Sequence, residues 1–295
     1  MKKHILSLDF IIVIITSVLM SAGYFILSSA TADTKRLTIQ AISVMLGRVL
    51  MIVCAFWDFK SVKENKNYIY LLALFLLLLV FPFGIGKEDK GALSWIRFGG
   101  IGFQPSEFAK LLFSLYISFE LTDKIEQKTL NKPKELLLFL LKCGLLIGLV
   151  ILQNDTGTAL VFVFMLVVTL FVSGIDFKYI AIGCLIFLIS LPLVWFFLSG
   201  YQKDRILVFF NPDSDLSDSG YQVYLSKLAL SSGGIFGNGY KNGAVNALSY
   251  LPEKETDFIF PIIGEEFGLF GTLIILLLFF VFILKIRNIF VYIIF

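Results

Sequence analysis

Acidic and basic side chains occur at only a few points of an otherwise apolar chain, and chemistry could take place at those points. Glu107 and Lys110 lie three residues apart, so they would share one face of a helix. Asp155 lies in a polar turn, and Asp257 lies directly before an apolar run. Carboxylates and amines of this kind can carry acid–base chemistry or bind a charged substrate.

Histidine and cysteine offer little to such a site. The single histidine, His4, lies beside the N-terminus, which argues against a Ser-His-Asp triad, a histidine zinc site and a haem site. Cys54, Cys143 and Cys184 all lie in apolar runs, where small core residues are expected rather than disulfides or metal ligands. The net charge of +3 is too small to indicate a nucleic-acid-binding protein.

The elements that must position these residues are membrane-spanning helices. Of the 295 residues, 58% are hydrophobic and 16% are charged, whereas soluble domains have about 45–50% apolar and about 25% charged residues. A helix that crosses a bilayer needs about 20 mostly apolar residues. The sequence predicts an all-α polytopic membrane protein with about eight transmembrane helices, near residues 9–28, 37–57, 68–86, 105–121, 136–153, 157–173, 179–199 and 259–284.

Lysine and arginine in the short loops predict the orientation, because cytoplasmic loops carry an excess of both. A cytoplasmic N-terminus places twelve of them inside and five in short outer loops. The inner residues are Lys2, Lys3, Lys60, Lys63, Lys66, Lys124, Lys128, Lys132, Lys134, Lys178, Lys285 and Arg287, and the outer ones are Lys35, Arg36, Lys87, Lys90 and Arg97.

One outer segment, residues 200–258, is much longer than a connector needs to be. Loops longer than about 12–15 residues are usually functional or disordered. The chain is therefore divided into seven transmembrane helices in 1–199, an extracytoplasmic loop carrying the candidate active site in 200–258, and an eighth helix with a short cytoplasmic tail in 259–295. Within the loop, the apolar, serine-rich run from Tyr221 to Ile235 predicts a short helix or re-entrant element packed on the bundle.

The polar residues near the predicted outer face have two interpretations. Glu107, Lys110, Asp155 and Asp257 could line a shared polar cavity, where the Glu107–Lys110 pair would be buried. Asp155 could instead cap the sixth span, and Asp257 the eighth. The glycine run 233–239 could cradle a phosphate or form a flexible turn; a nucleotide P-loop is unsupported, since no Gly-Lys-Ser/Thr follows it.

Taken together, four blocks in chain order resemble one family, the RodA/FtsW/SpoVE group of SEDS peptidoglycan polymerases. The resemblance extends over about residues 9–285, on the same pattern of apolar spans. The blocks are 91–96 with 103–110; 153–159; 205–212 with 220–222 and 233–239; and 251–260 with 264–268.

The resemblance implies a peptidoglycan glycosyltransferase that polymerises lipid II into glycan strands at the outer face of a bacterial cytoplasmic membrane, during elongation, division or sporulation. The GlcNAc 4-hydroxyl of one unit attacks the anomeric carbon of a chain carried on undecaprenyl pyrophosphate, with inversion. The family's essential acid corresponds to Asp257, which we expect to be partly desolvated and to act as general base. Cations would stabilise the departing pyrophosphate, and the substrate-binding candidates are Arg205, Lys110, Arg97, Glu107, Asp155, Trp95 and Glu253.

The resemblance also implies a partner, a class B penicillin-binding protein that cross-links the new strand. It implies no cofactor, and it leaves a divalent-cation requirement open. Family members commonly continue through two more spans, so we expect a truncated chain or a fragment, with weakened partner binding. The alternatives are a flippase for lipid-linked precursors and an inactive scaffold. A flippase needs a polar path across the midplane, whereas the polar blocks here cluster at the outer ends of the spans.

Overall fold

The computed structural model describes residues 10–56, 59–85, 93–98, 101–198, 200–211, 219–247 and 254–294. The chain divides into two compact units. The terminal unit comprises residues 1–57 and 195–295, and the central unit comprises residues 58–194. Each unit is described by itself below.

Helices make up nearly all of the described chain, and each of the eight predicted spans coincides with one. Five helices, α1, α2, α4, α6 and α12, are long and apolar enough to cross a membrane. Shorter apolar segments are α7 and residues Phe177–Leu193 of α8, and α5 carries charges near both ends. The protein is thus a multi-pass membrane protein, and the count of eight spans stays a prediction. The helices are α1 (Phe10–Ala30), α2 (Thr34–Ala55), α3 (Phe59–Glu64), α4 (Lys66–Phe83), α5 (Pro105–Glu126), α6 (Pro133–Leu152), α7 (Thr156–Val172), α8 (Phe177–Phe197), α9 (Gly200–Phe210), α10 (Ser219–Ser232), α11 (Ala244–Ala247) and α12 (Ile259–Ile294).

The core of the central unit is formed by α4, α5, α6 and α7. Its largest fully buried side chains include Phe113 and Tyr116 from α5, Phe139 from α6 and Phe162 from α7. The rings of Phe113 and Phe162 lie 4.9 Å apart between centroids. Because lipid tails are as apolar as these side chains, the helices associate through close packing rather than through the hydrophobic effect.

A short β-hairpin departs from the all-α prediction. Strands β1 (Ile96–Phe98) and β2 (Ile101–Phe103) pair antiparallel, and Arg97 lies opposite Gly102. The sequence signal was present, because Gly-Gly between two apolar runs is typical of a two-residue hairpin turn. The hairpin leads directly into α5, so it fixes where that helix begins.

The opposite end of the central unit holds an ion-pair network. The sequence analysis did not predict this network, because it used the lysines only to assign the orientation. Lys66 at the start of α4 pairs with Glu120 at 2.7 Å and also with Asp123. Lys124, whose side chain is buried, pairs with Glu135 of α6 at 3.1 Å. The network joins α4, α5 and α6 at the end predicted to face the cytoplasm.

The terminal unit is organised around α12. Helix α1 packs against both α2 and α12, and Ile26 of α1 is buried with Ile262 and Ile263 of α12. Helix α10 also packs on α12. This confirms the prediction that the 221–235 run forms a short helix on the bundle.

Helix α12 is broken at Gly268, where φ is 66° and ψ is −163°. The amides of Leu269 and Phe270 donate to the carbonyls of Gly234 and Ile235, at 2.9 and 3.1 Å. Backbone groups freed inside a membrane must find partners within the protein. The glycine run supplies those partners.

Candidate functional site

Asp155 holds two elements together at the end of the central unit predicted to face outward. One carboxylate oxygen accepts the amide N–H of Thr158 at 3.1 Å, which caps α7. The other accepts the side-chain N–H of Gln104, the residue before α5, also at 3.1 Å. The capping interpretation of Asp155 is therefore confirmed, and Gln104 adds a partner that the sequence analysis had not assigned.

Glu107 and Lys110 form the predicted pair on the first turns of α5, with 2.7 Å between Lys110 Nζ and Glu107 Oε1. The pair is not buried, because the two side chains are 22% (Lys110) and 52% (Glu107) exposed. The expectation of a buried pair is therefore wrong. The cause is the position of both residues in the first turns of α5, where no described residue covers Glu107. An exposed pair contributes about 0–1 kcal/mol, so Lys110 is available to a ligand.

Trp95 and Arg97 share the exposed face of the hairpin, while Ile96 between them is buried. The indole of Trp95 lies over Gly102, where an added Cβ would meet the ring at 3.0 Å. The backbone of Trp95 also bridges to Ile85 after α4. The hairpin thus presents an aromatic and a cationic side chain together, next to the start of α5.

Asp257 lies in the turn 254–258, directly before α12. Its side chain is exposed rather than partly desolvated as the sequence suggested. The reason is that its neighbour Phe258, which is partly buried, is the residue that packs against Leu225 and Ala229 of α10. Among the described residues, the Asp257 carboxylate has no hydrogen-bond or ion-pair partner, and α12 begins only at Ile259. The capping interpretation of Asp257 therefore has no support.

The predicted site residues are divided between the two units. Trp95, Arg97, Glu107, Lys110 and Asp155 belong to the central unit, and Asp257 belongs to the terminal unit. Arg205 lies in helix α9 of the terminal unit. Glu253 lies outside the described residues. The single shared cavity therefore stays a prediction, whereas each unit presents its own exposed polar residues.

Two adjacent carboxylates inside the candidate span of α12 form a buried cluster, which the sequence analysis included only as part of the matched block 264–268. Glu265 and Glu266 are 0% and 1% exposed. Glu265 Oε2 accepts the amide N–H of Asn246 at 3.1 Å, and Glu266 Oε1 accepts from the Asn246 side chain at 2.8 Å and from the hydroxyl of Ser29. Ionisable residues inside a span are costly and usually functional.

Lys254 connects this cluster to the turn that carries Asp257. Its ammonium donates to the Asn246 carbonyl oxygen at 2.6 Å and to Asn246 Oδ1 at 3.0 Å. Desolvation by burial lowers the pKa of Lys254, and the charges of Glu265 and Glu266 partly offset that effect. The next residue, Glu255, pairs with Arg36 at the start of α2.

The glycine run 233–239 is a packed element rather than a flexible turn. The amides of Asn238 and Gly239 donate to the carbonyls of Glu265 and Glu266, both at 3.0 Å. A Cβ on Gly237 would lie 2.1 Å from the Glu266 carbonyl oxygen. The run therefore supplies hydrogen-bond partners to the backbone of α12 around its break. Its amides at 238 and 239 are already hydrogen-bonded within the protein.

The site offers carboxylates, cations and one indole for chemistry. Within the described part of the chain, no group of three or more His, Cys, Asp or Glu side chains could hold a metal ion. A carboxylate without a partner, as in Asp257, can accept a proton, and a partly exposed ammonium, as in Lys110, can bind an anion.

The family profile and the similar sequences of known proteins indicate the same family. The sequence profile of the FtsW/RodA/SpoVE family, described as cell cycle proteins, matches residues 3–293. The probable peptidoglycan glycosyltransferase FtsW of Geobacter metallireducens is 34% identical over 294 residues, which cover 96% of this chain and 77% of the relative. The peptidoglycan glycosyltransferase MrdB of Escherichia coli is 30% identical over 275 residues, covering 93% and 73%.

Solved structures agree with the sequence comparison. A chain from a peptidoglycan synthase complex, described as coordinating polymerization and crosslinking, superposes with a TM-score of 0.75 at 26% identity, over 95% of this chain and 77% of that one. The rod shape determining protein RodA of Thermus thermophilus has the same fold, with a TM-score of 0.65 at 24% identity over 95% of this chain and 74% of RodA. The chain therefore belongs to the FtsW/RodA/SpoVE family.

Proposed function

We propose that this protein is a peptidoglycan glycosyltransferase that polymerises lipid II, with Asp257 as its general base. Relatives at 34% and 30% identity carry the glycosyltransferase name. The observation that carries the assignment to Asp257 is an exposed carboxylate with no partner among the described residues, on a turn in which Lys254 and Glu255 are anchored. Such a carboxylate is accessible to a sugar hydroxyl from outside the protein.

The proposed reaction is a single displacement. The 4-hydroxyl oxygen of the acceptor GlcNAc forms a bond to the anomeric carbon of the donor while the bond from that carbon to the pyrophosphate oxygen breaks. The hydroxyl proton passes to Asp257, and undecaprenyl pyrophosphate leaves with the electron pair. One base suffices because pyrophosphate is a good leaving group, unlike the alcohol that a glycosidase must protonate. An α-linked donor therefore gives a β-1,4 bond.

Cations in both units are candidates for stabilising the pyrophosphate. Lys110 and Arg97 lie at the same end of the central unit, and Lys110 is only weakly held by Glu107. Arg205 is the candidate from the terminal unit. Charge that develops on the leaving oxygens would be stabilised by such groups in the transition state. Trp95, Glu107, Asp155 and Glu253 complete the proposed substrate-binding set.

We place the N-terminus in the cytoplasm and residues 200–258 outside. The lysine and arginine bias supports this orientation. Single cysteines at Ser217 and at Lys128 should then react with an impermeant thiol reagent from opposite sides of the membrane. The background needs the exposed Cys54 and Cys184 replaced by alanine. Labelling of both positions from one side would overturn the orientation.

A polymerisation assay separates the enzyme from the flippase alternative. The purified chain, in detergent and in vesicles, is given lipid II, and we expect glycan strands to form in both. Scrambling of a fluorescent lipid II analogue between leaflets is measured in the same vesicles. Strand formation without scrambling supports the proposal, whereas scrambling without strand formation would favour the flippase.

We further propose that a class B penicillin-binding protein is the partner. The support is the fold shared with a chain of a synthase complex described as coordinating polymerization and crosslinking. A polymerase that releases uncross-linked strands needs a transpeptidase acting on its product. Assembly with such an enzyme would place cross-linking where the strand emerges.

A further inference from the structure

We propose that Lys254 is a positioning residue for Asp257, acting through Asn246 and the buried carboxylates Glu265 and Glu266. The inference rests on the proposed function in its catalytic part. Its structural part concerns only how the turn 254–258 is held. The set formed by Lys254, Asn246, Glu265 and Glu266 is called the clamp below.

The anchor of the clamp is rigid because it is buried within packed helices. Glu265 and Glu266 are buried, with 0% and 1% of their surface exposed, and they lie next to the break in α12. A Cβ on Gly243 would lie 2.4 Å from Glu265 Oε2, so the backbone is in tight contact with this carboxylate. Asn246 is held by both carboxylates and also donates to the Ser29 carbonyl oxygen of α1 at 3.3 Å.

Lys254 attaches the turn 254–258 to this buried anchor. Its two hydrogen bonds to Asn246, at 2.6 and 3.0 Å, fix the residue that lies three positions before Asp257. The negative charges of Glu265 and Glu266 act on its ammonium and partly offset the lowering of its pKa by burial. A buried carboxylate that loses its cation is costly to the fold, so the lysine is held in place by the same charges that it compensates.

Contacts of Glu255 and Phe258 also support the turn. Glu255 pairs with Arg36, whose side chain is 58% exposed, and an exposed pair of this kind is worth little. Phe258 packs against α10 on the other side of Asp257. Lys254 therefore attaches the turn to the buried carboxylates through Asn246, while Asp257 itself is exposed.

The test compares Lys254→Met with Lys254→Arg, with Lys227→Met as the matched control. Lys227 is exposed on α10 and has no partner among the described residues. We expect Lys254→Met to lower kcat for lipid II polymerisation about 10-fold or more with KM little changed, since small displacements of a catalytic group are costly. Lys254→Arg keeps the charge and the donors, and should restore most of the rate. Lys227→Met should match the wild type.

Hydrogen exchange of the 254–258 amides, measured in nanodiscs, gives a second readout that needs no activity. We expect faster exchange in Lys254→Met and near-normal exchange in Lys254→Arg. Unchanged exchange would overturn the clamp, and so would a loss of rate that merely follows a loss of folded protein and is not rescued by arginine. If the wild type forms no strands, the proposed function fails, and the exchange result alone then decides the clamp.

Discussion

We expect replacement of Asp257 by asparagine to lower the rate of lipid II polymerisation by about 10²–10⁴-fold, the usual contribution of general acid–base catalysis. Asparagine has nearly the shape of aspartate, but an NH2 donor replaces one carboxylate oxygen, and the amide cannot take a proton at neutral pH. Because Asp257 is exposed and has no hydrogen-bond or ion-pair partner among the described residues, the substitution breaks no polar contact within that part of the chain. The measurement is strand formation by purified variants at equal amounts of monodisperse protein.

The matched control is Asp204→Asn, which makes the same chemical change at an exposed position of α9 in the same unit. It should polymerise at the wild-type rate. If Asp257→Asn also keeps its rate while remaining folded, Asp257 is not the base. The base would then have to be sought at Glu253 or Asp155, and Asp155 is already bonded to Gln104 and Thr158.

The spans could be predicted from the sequence because each is a long apolar run, and such a run has few alternatives in a membrane. The capping role of Asp155 could also be predicted, since an aspartate directly before a helix can accept the amide N–H groups of its first turn. The Glu107–Lys110 pair followed from i,i+3 spacing alone. All three depend on local sequence, within one helix or one turn.

The buried cluster and the break in α12 could not be predicted in the same way, because their partners are distant in sequence. Glu266 meets Ser29, 237 residues earlier, and Gly268 is compatible with a helix until Gly234 and Ile235 supply acceptors for the following amides. The exposure of Asp257 likewise depends on Phe258 finding a place on α10. Sequence periodicity contains no information about which distant backbone groups will meet.

Gly237→Ala should destabilise the terminal unit by roughly 3 kcal/mol or more, because two costs add. Gly237 has φ +81°, a left-handed conformation that costs an ordinary residue about 1–2 kcal/mol. Its new Cβ would also lie 2.1 Å from the Glu266 carbonyl oxygen and 2.5 Å from the Phe267 amide nitrogen. Both atoms are backbone, so neither can rotate away as a side chain would, and the glycine run must move off α12.

Such a movement breaks the bonds from Asn238 and Gly239 to the Glu265 and Glu266 carbonyls. Those carbonyls then lack partners inside the membrane, where an unsatisfied backbone group costs several kcal/mol. Gly234→Ala is the matched control: its φ is +55°, yet nothing lies within 4 Å of its Cβ, so it carries the conformational cost alone. We expect Gly237→Ala to lose most of its monodisperse protein and to melt earlier than Gly234→Ala, as measured by size exclusion and thermal unfolding. Equal losses in the two variants would show that backbone conformation, and not contact with α12, determines the need for glycine at position 237.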